Sequence, residues 1–166
     1  NFESIESITV DAWDLNENTI CFAWFELNPA KRDNTFLLSF DDQSLRFNKT
    51  LMKKLAGDLA YFCDTKYGYC YRRKWDEGPY WYPFGVISGL EYDDPERELI
   101  GQWGNKYCMS DGSYKTGDLR DIYPMNILCD VHLKREVLGT SLEAWIRSDS
   151  KHGRLEELGS NVYAWW

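Results

Sequence analysis

The chain has 166 residues, of which 43% are hydrophobic and 28% are charged, a composition typical of one folded domain rather than of a disordered chain. Its net charge of −8 repels the phosphate backbone, which excludes nonspecific DNA or RNA binding. No stretch approaches the ~20 consecutive apolar residues that a membrane-spanning helix needs, so we expect no membrane partner.

The predicted elements begin with three strands, at residues 7–13, 19–27 and 35–40. The second is apolar on both faces, as expected of a central strand. A helix follows over about residues 49–64, and the polar face carries Lys53. Its apolar residues at helical spacing are Leu51, Leu55, Leu59 and Phe62.

Alternating rings predict a strand over residues 67–75, and residues 82–90 predict its neighbour. A second helix is expected to begin at 94–96, where an aspartate cap, a proline and an acid follow one another, and to end at Gly104. Its expected core residues are Leu99, Ile100 and Trp103.

Residues 105–117 are rich in Gly, Ser, Asp and Lys and predict an exposed loop. Residues 140–143 have the pattern of a capping box, which predicts a short helix that Gly153 terminates. Residues 154–158 and 162–166 predict a terminal hairpin. The expected fold class is α+β, a mainly antiparallel sheet with three helices packed on it, in a single domain spanning residues 1–166.

The five cysteines cannot all pair, and their spacing favours reduced thiols in a cytoplasmic protein. A disulfide between Cys63 and Cys70 is the alternative. Cys129 and His132 have metal-ligand spacing, and Cys108 or His152 could join them. A cysteine nucleophile paired with His132 or His152 is the catalytic alternative. The second ligand pair of a structural zinc site is missing, so we expect no metal and no cofactor. His132 is expected to be a surface or half-buried side chain.

Carboxylates cluster at residues 41–42, 91–98 and 118–121. Paired acids can hydrolyse glycosides, and aromatic rings can stack on sugars. The alternative function is therefore a small carbohydrate-active enzyme or glycan-binding protein that uses carboxylates in an aromatic cleft. No P-loop, nucleophile elbow or metalloprotease motif is present, so we expect a protein without enzymatic activity.

Aromatic residues make up 16% of the chain, including 8 Trp and 11 Tyr, more rings than a core of this size needs. Rings beside carboxylates are typical of binding hot spots for a basic protein. A homodimer is the other protein partner that the composition leaves open. The expected partner-binding residues are Trp81, Tyr82, Glu91, Tyr92, Asp93 and Asp94.

The last hundred residues carry a further pattern. It comprises Tyr67–Gly68–Tyr69, Gly78–Pro79 with Phe84–Gly85, Arg120–Asp121-x-Tyr123–Pro124-x-Asn126-x-Leu128, Leu142-x-x-Trp145–Ile146 and Gly153-x-Leu155. This pattern resembles a poorly characterised microbial family that is similar to immunity proteins of polymorphic-toxin and type VI secretion systems. The resemblance implies that the chain neutralises a cognate toxin by stoichiometric association, and it assigns no catalytic residue.

Overall fold

A computed structural model describes residues 7–13, 19–28, 33–40, 48–62, 65–73, 82, 85, 93–104, 113–159 and 161–166, with side chains of the first three segments described only at 37–39. The chain divides into two compact units, Asn1–Asn48 and Lys49–Trp166. The expectation of a single domain stays a prediction.

The first unit contains a three-stranded antiparallel sheet in the order β1-β2-β3. Its strands are β1 (Ser7–Trp13), β2 (Thr19–Asn28) and β3 (Asp33–Phe40). The three predicted strands are confirmed, and β2 is the central one as its apolar composition indicated.

The second unit contains a four-stranded antiparallel sheet in the order β4-β5-β9-β8, together with a two-stranded hairpin of β6 and β7. The strands are β4 (Gly68–Cys70), β5 (Met125–Cys129), β6 (Glu136–Val137), β7 (Thr140–Ser141), β8 (Leu155–Gly159) and β9 (Val162–Trp165). The predicted terminal hairpin is confirmed as β8 and β9.

The prediction of a strand over residues 67–75 is wrong in extent, because only Gly68–Cys70 pair among the described residues 67–73. Strand β4 pairs with β5, which the sequence did not predict. Of residues 82–90, Tyr82 and Gly85 are described; the remainder lie outside the described residues.

Among the described residues of the second unit, four α-helices accompany the strands, and the α+β class with a mainly antiparallel sheet is confirmed. They are α1 (Lys49–Phe62), α2 (Pro95–Gly104), α3 (Asp130–Leu133) and α4 (Leu142–Ser148). A 3-10 turn at Ser113–Thr116 corrects part of the predicted loop, because Tyr114 within it is buried. A second 3-10 turn, Ser150–His152, precedes Gly153.

Helix α4 begins one residue later than the capping pattern indicated. Ser141 is the N-cap, and its hydroxyl oxygen accepts a hydrogen bond from the Ala144 amide at 3.2 Å. Leu142 and Ile146 are buried, and Trp145 is half-buried. With Leu128, Leu133 and Trp165, they form the main apolar core between helix and sheet.

The buried face of helix α1 is narrower than the face that the spacing of its leucines predicted. The fully buried side chains are Met52, Ala56 and Ala60, at a spacing of four residues. The predicted leucines are half-buried beside them. Phe62 was expected on the buried face and is 79% exposed, so that expectation was wrong.

Replacing Gly57 by alanine in α1 should stabilise the protein. The position is inside the helix, and an added Cβ would meet no heavy atom within 4 Å. Glycine inside a helix is less favourable than alanine by roughly 0.5–1 kcal/mol, because its unfolded backbone is freer. Urea unfolding should therefore show a higher midpoint with an unchanged slope. A lower midpoint would mean that the methyl group disturbs packing at this position.

No helix among the described residues is both long and apolar enough to cross a membrane.

Candidate interaction surface

The start of helix α2 presents carboxylates in a fixed arrangement. Asp94 accepts a hydrogen bond from the Glu96 amide at 2.8 Å through its Oδ1 atom, which confirms its predicted role as the helix cap. Pro95 occupies the first turn, where its missing amide hydrogen is not needed. The Asp94 side chain is therefore occupied in holding the helix end and is only partly exposed.

Asp93 and Glu98 are exposed, and the Glu96 side chain is 46% exposed while paired with Arg73. Glu98 accepts a hydrogen bond from Gln102 at 3.0 Å, one turn further along α2. Leu99, the residue after Glu98 on α2, is 66% exposed, so the expectation that it faces the core was wrong. We call Asp93, Glu98 and Leu99 the α2 surface: two anionic groups next to one large apolar side chain.

The α2 surface is anchored to the interior through a chain of charged and aromatic groups. Glu96 accepts a hydrogen bond at 2.6 Å from Arg73, whose side chain is nearly buried. The Arg73 guanidinium lies 4.5 Å from the centroid of the Tyr82 ring, and that of Arg120 lies 3.8 Å from it. Ile100 and Trp103 bury the opposite face of the helix. These contacts give the exposed carboxylates a rigid support.

Tyr82 belongs to the interior, which corrects its assignment as a partner-binding residue. It is only 7% exposed, and its hydroxyl lies 2.8 Å from that of the buried Tyr123. Burial, followed by the Tyr82 hydrogen bond, raises the pKa of Tyr123 well above its usual range, so its hydroxyl stays protonated. Of the other predicted residues, Asp93 and Asp94 are placed as above, and Trp81, Glu91 and Tyr92 lie outside the described residues.

Most of the aromatic side chains that the structure describes in the second unit pack against one another instead of being exposed on the surface. Tyr69 stacks on Tyr123 at a centroid distance of 4.4 Å, and Tyr67 packs against Trp103 at 6.4 Å. Arg120 sits among them and donates a hydrogen bond from Nη1 to the Tyr69 hydroxyl at 2.9 Å. The charged group within this cluster is therefore a guanidinium, whereas the glycosidase alternative needs carboxylates there.

Two rings are an exception and were not predicted as exposed. Tyr61 and Phe62, at the end of α1, are 81% and 79% exposed and contact each other edge to face. Among the side chains that the structure describes, these are the exposed aromatic ones. Sequence offered one signal: Tyr61 and Phe62 are consecutive at a helix end, so a single buried face cannot cover both.

Cys129 and His132 are brought together, but as a helix cap. The Cys129 amide donates to His132 Nδ1 at 3.3 Å, and the Cys129 sulfur lies 3.3 Å from the same nitrogen. Because Nδ1 accepts, the ring proton is on Nε2. The His132 side chain is 0% exposed and stacks on Tyr67, which corrects its expected surface position. Burial lowers the pKa of His132 to about 4, so the ring is neutral at pH 7 and supplies no imidazolium to activate the thiol.

The described cysteine side chains are free thiols, namely Cys70 and Cys129. The alternative disulfide from Cys70 is therefore not formed. Burial raises the pKa of Cys70 to about 11, which keeps this thiol protonated and unreactive. Within the described parts of the chain, no three His, Cys, Asp or Glu side chains are grouped closely enough to hold a metal ion.

No family model matches the chain, and no curated protein or solved structure matches it significantly. The resemblance to toxin-immunity proteins therefore stays a prediction.

Proposed function

We propose that this chain is an immunity-type protein that neutralises a cognate basic toxin by stoichiometric association in the cytoplasm. The observation that carries the proposal is the α2 surface, which combines two exposed carboxylates and an exposed leucine at an anchored helix. An apolar contact beside anionic groups suits a partner whose surface is basic around an apolar patch. The net charge of −8 acts in the same direction over longer distances.

The proposed binding mode needs no chemistry from this chain. The tyrosines around Arg120 pack in the core, where Tyr123 is held neutral, and Cys129 and His132 together cap a helix. These groups stabilise the second unit, and the α2 surface remains for a partner. The glycan-binding alternative gains no specific support, because the described ring cluster encloses arginine.

The proposal is tested with the product of the gene immediately upstream of this one, since an immunity gene follows its toxin gene. We expect that product to stop growth when expressed alone and to be tolerated when this chain is co-expressed. The two purified proteins should form a 1:1 complex in size-exclusion chromatography with light scattering. Continued toxicity without a complex would contradict the proposal, and binding on a glycan array would favour the alternative.

The double substitution of Asp93→Lys and Glu98→Lys should slow association with that toxin at least tenfold at low salt. The two changes turn an attractive surface repulsive, and electrostatic steering acts mainly on the association rate. Asp94 is left intact because it caps α2. Stopped-flow measurements should show the difference shrinking as salt rises toward ~0.5 M, where the Debye length falls to a few ångströms.

The matched control is Asp58→Lys with Glu157→Lys, two exposed carboxylates on α1 and β8. It changes the net charge by the same amount at a different place. If both double variants slow association equally, the effect comes from net charge and the α2 surface is not the contact.

A further inference from the structure

One hairpin of the second unit holds an apolar side chain at its tip in an unfavourable backbone conformation. Strands β6 and β7 pair Val137 with Thr140, so Leu138 and Gly139 form a two-residue turn. Both have positive φ, 50° and 81° respectively, as a type I′ turn requires. Asparagine followed by glycine is the favoured pair for such turns, because a leucine at positive φ brings its Cβ close to the following carbonyl.

Packing within the chain does not offset the strain at Leu138. Its side chain is 89% exposed, the highest value among the large hydrophobic side chains that the structure describes. The preceding residue, Val137, packs against the main core instead. An exposed leucine in a left-handed turn serves neither stability nor solubility, so its presence points to a contact made outside this chain.

The base of the hairpin is held firmly. The Leu142 amide donates a hydrogen bond to the Arg135 carbonyl at 2.8 Å, and the Arg135 side chain forms an ion pair with Asp118. At the other end, Ser141 caps helix α4. A tip on such a base loses little conformational entropy when it binds, which favours affinity.

We infer that Leu138 is an anchor that enters an apolar pocket on the partner protein, and this inference rests on the proposed function. The cations at the base of the hairpin, Lys134 and Arg135, are paired with the carboxylates of Asp130 and Asp118. Glu136 is exposed on the same hairpin and the chain carries a net charge of −8, so the pocket has an apolar floor and a basic rim. A lipid surface fits less well. A single leucine buries too little area for stable anchoring, and anionic lipid repels a chain of this charge.

The substitution L138N separates folding from binding. Asparagine tolerates positive φ, so the thermal midpoint should rise by roughly 2 °C or more. Loss of the apolar anchor should at the same time raise the dissociation rate of the toxin complex at least tenfold. The control L138M keeps an apolar side chain of similar size, and its affinity should stay within about threefold of the wild type.

The outcomes are distinguishable. If the wild type does not bind the upstream gene product, the proposed function fails and this inference fails with it. If the wild type and L138N bind equally tightly, only the inference fails. Leu138-dependent sedimentation with phosphatidylcholine–phosphatidylglycerol vesicles, or Leu138-dependent self-association in ultracentrifugation, would also overturn it, since each identifies a different occupant.

Discussion

Replacing Gly153 by alanine should destabilise the protein by about 4 kcal/mol, the sum of a backbone and a packing penalty. Gly153 has φ of 97° and ψ of −162°, a region that is essentially restricted to glycine. An added Cβ would lie 2.5 Å from the carbonyl oxygen of Trp166 and 2.9 Å from Nε1 of Trp165. Neither atom can move freely, because each forms a hydrogen bond with a backbone group of the segment around Gly153.

Those hydrogen bonds join the end of β9 to the residues just before β8. The Trp166 carbonyl accepts from the Arg154 amide at 2.6 Å, and Trp165 Nε1 donates to the His152 carbonyl at 2.7 Å. The methyl group therefore has to displace a strand end or strain the backbone. Differential scanning calorimetry should show a thermal midpoint lower by roughly 10 °C, given about 2–4 °C per kcal/mol for a chain of this length.

The control for this prediction is Gly139→Ala, in the β6–β7 turn. Gly139 also has a positive φ, 81°, but an added Cβ would meet no heavy atom within 4 Å. Its penalty should be the conformational one alone, about 1 kcal/mol. Equal losses at the two glycines would show that the contact with Trp166 adds nothing to the backbone penalty.

The sequence predicted the elements whose ends are set by interactions between residues within one helical turn of each other. Residues 94–96 carry a cap and a proline, and they begin a helix because both effects act within one turn. The short strand β5 was missed because five apolar-rich residues after a proline have no length or periodicity that separates a strand from a loop. Its assignment depends on pairing with β4 and β9, which are far away in sequence.

For the candidate site too, the sequence predicts local features and leaves the tertiary ones open. Negative charge around residues 91–98 is visible in the sequence, and it includes the two exposed carboxylates of the α2 surface. The exposure of individual side chains is not visible, because it depends on which neighbours cover them. Tyr82 was expected outside and packs against Tyr123, whereas Leu99 was expected inside and faces solvent.

Lowering the pH from 7 to 4 should remove about 3 kcal/mol of folding stability through His132 alone, at about 1.4 kcal/mol per pKa unit. Burial is the main cause that lowers the pKa of this histidine from 6.5 to about 4, and Arg135 adds to it. Between these two values the unfolded chain binds a proton at this position and the native chain does not. Stability therefore falls as the pH drops through this window and changes no further through His132 below about 4.

The substitution His132→Asn tests this origin. Its side-chain oxygen can replace Nδ1 as the acceptor for the Cys129 amide, while the titrating ring is lost. Carboxylates such as Glu156, whose pKa is lowered chiefly by its hydrogen bond with Lys53, also reduce stability in acid, so the comparison is between slopes. Free energies of unfolding from urea titrations should depend less steeply on pH in the variant between pH 6.5 and 4.

The matched control is Leu133→Ala, which removes a buried neighbour on the same short helix without removing a titrating group. It should lower stability at every pH and keep the wild-type slope. If His132→Asn also keeps that slope, His132 binds protons equally in the native and unfolded states, and burial does not lower its pKa. If the free energy of unfolding instead depends less on pH in His132→Asn, the buried imidazole is neutral in the native protein. It then acts as the cap of a helix rather than as the base of a catalytic pair.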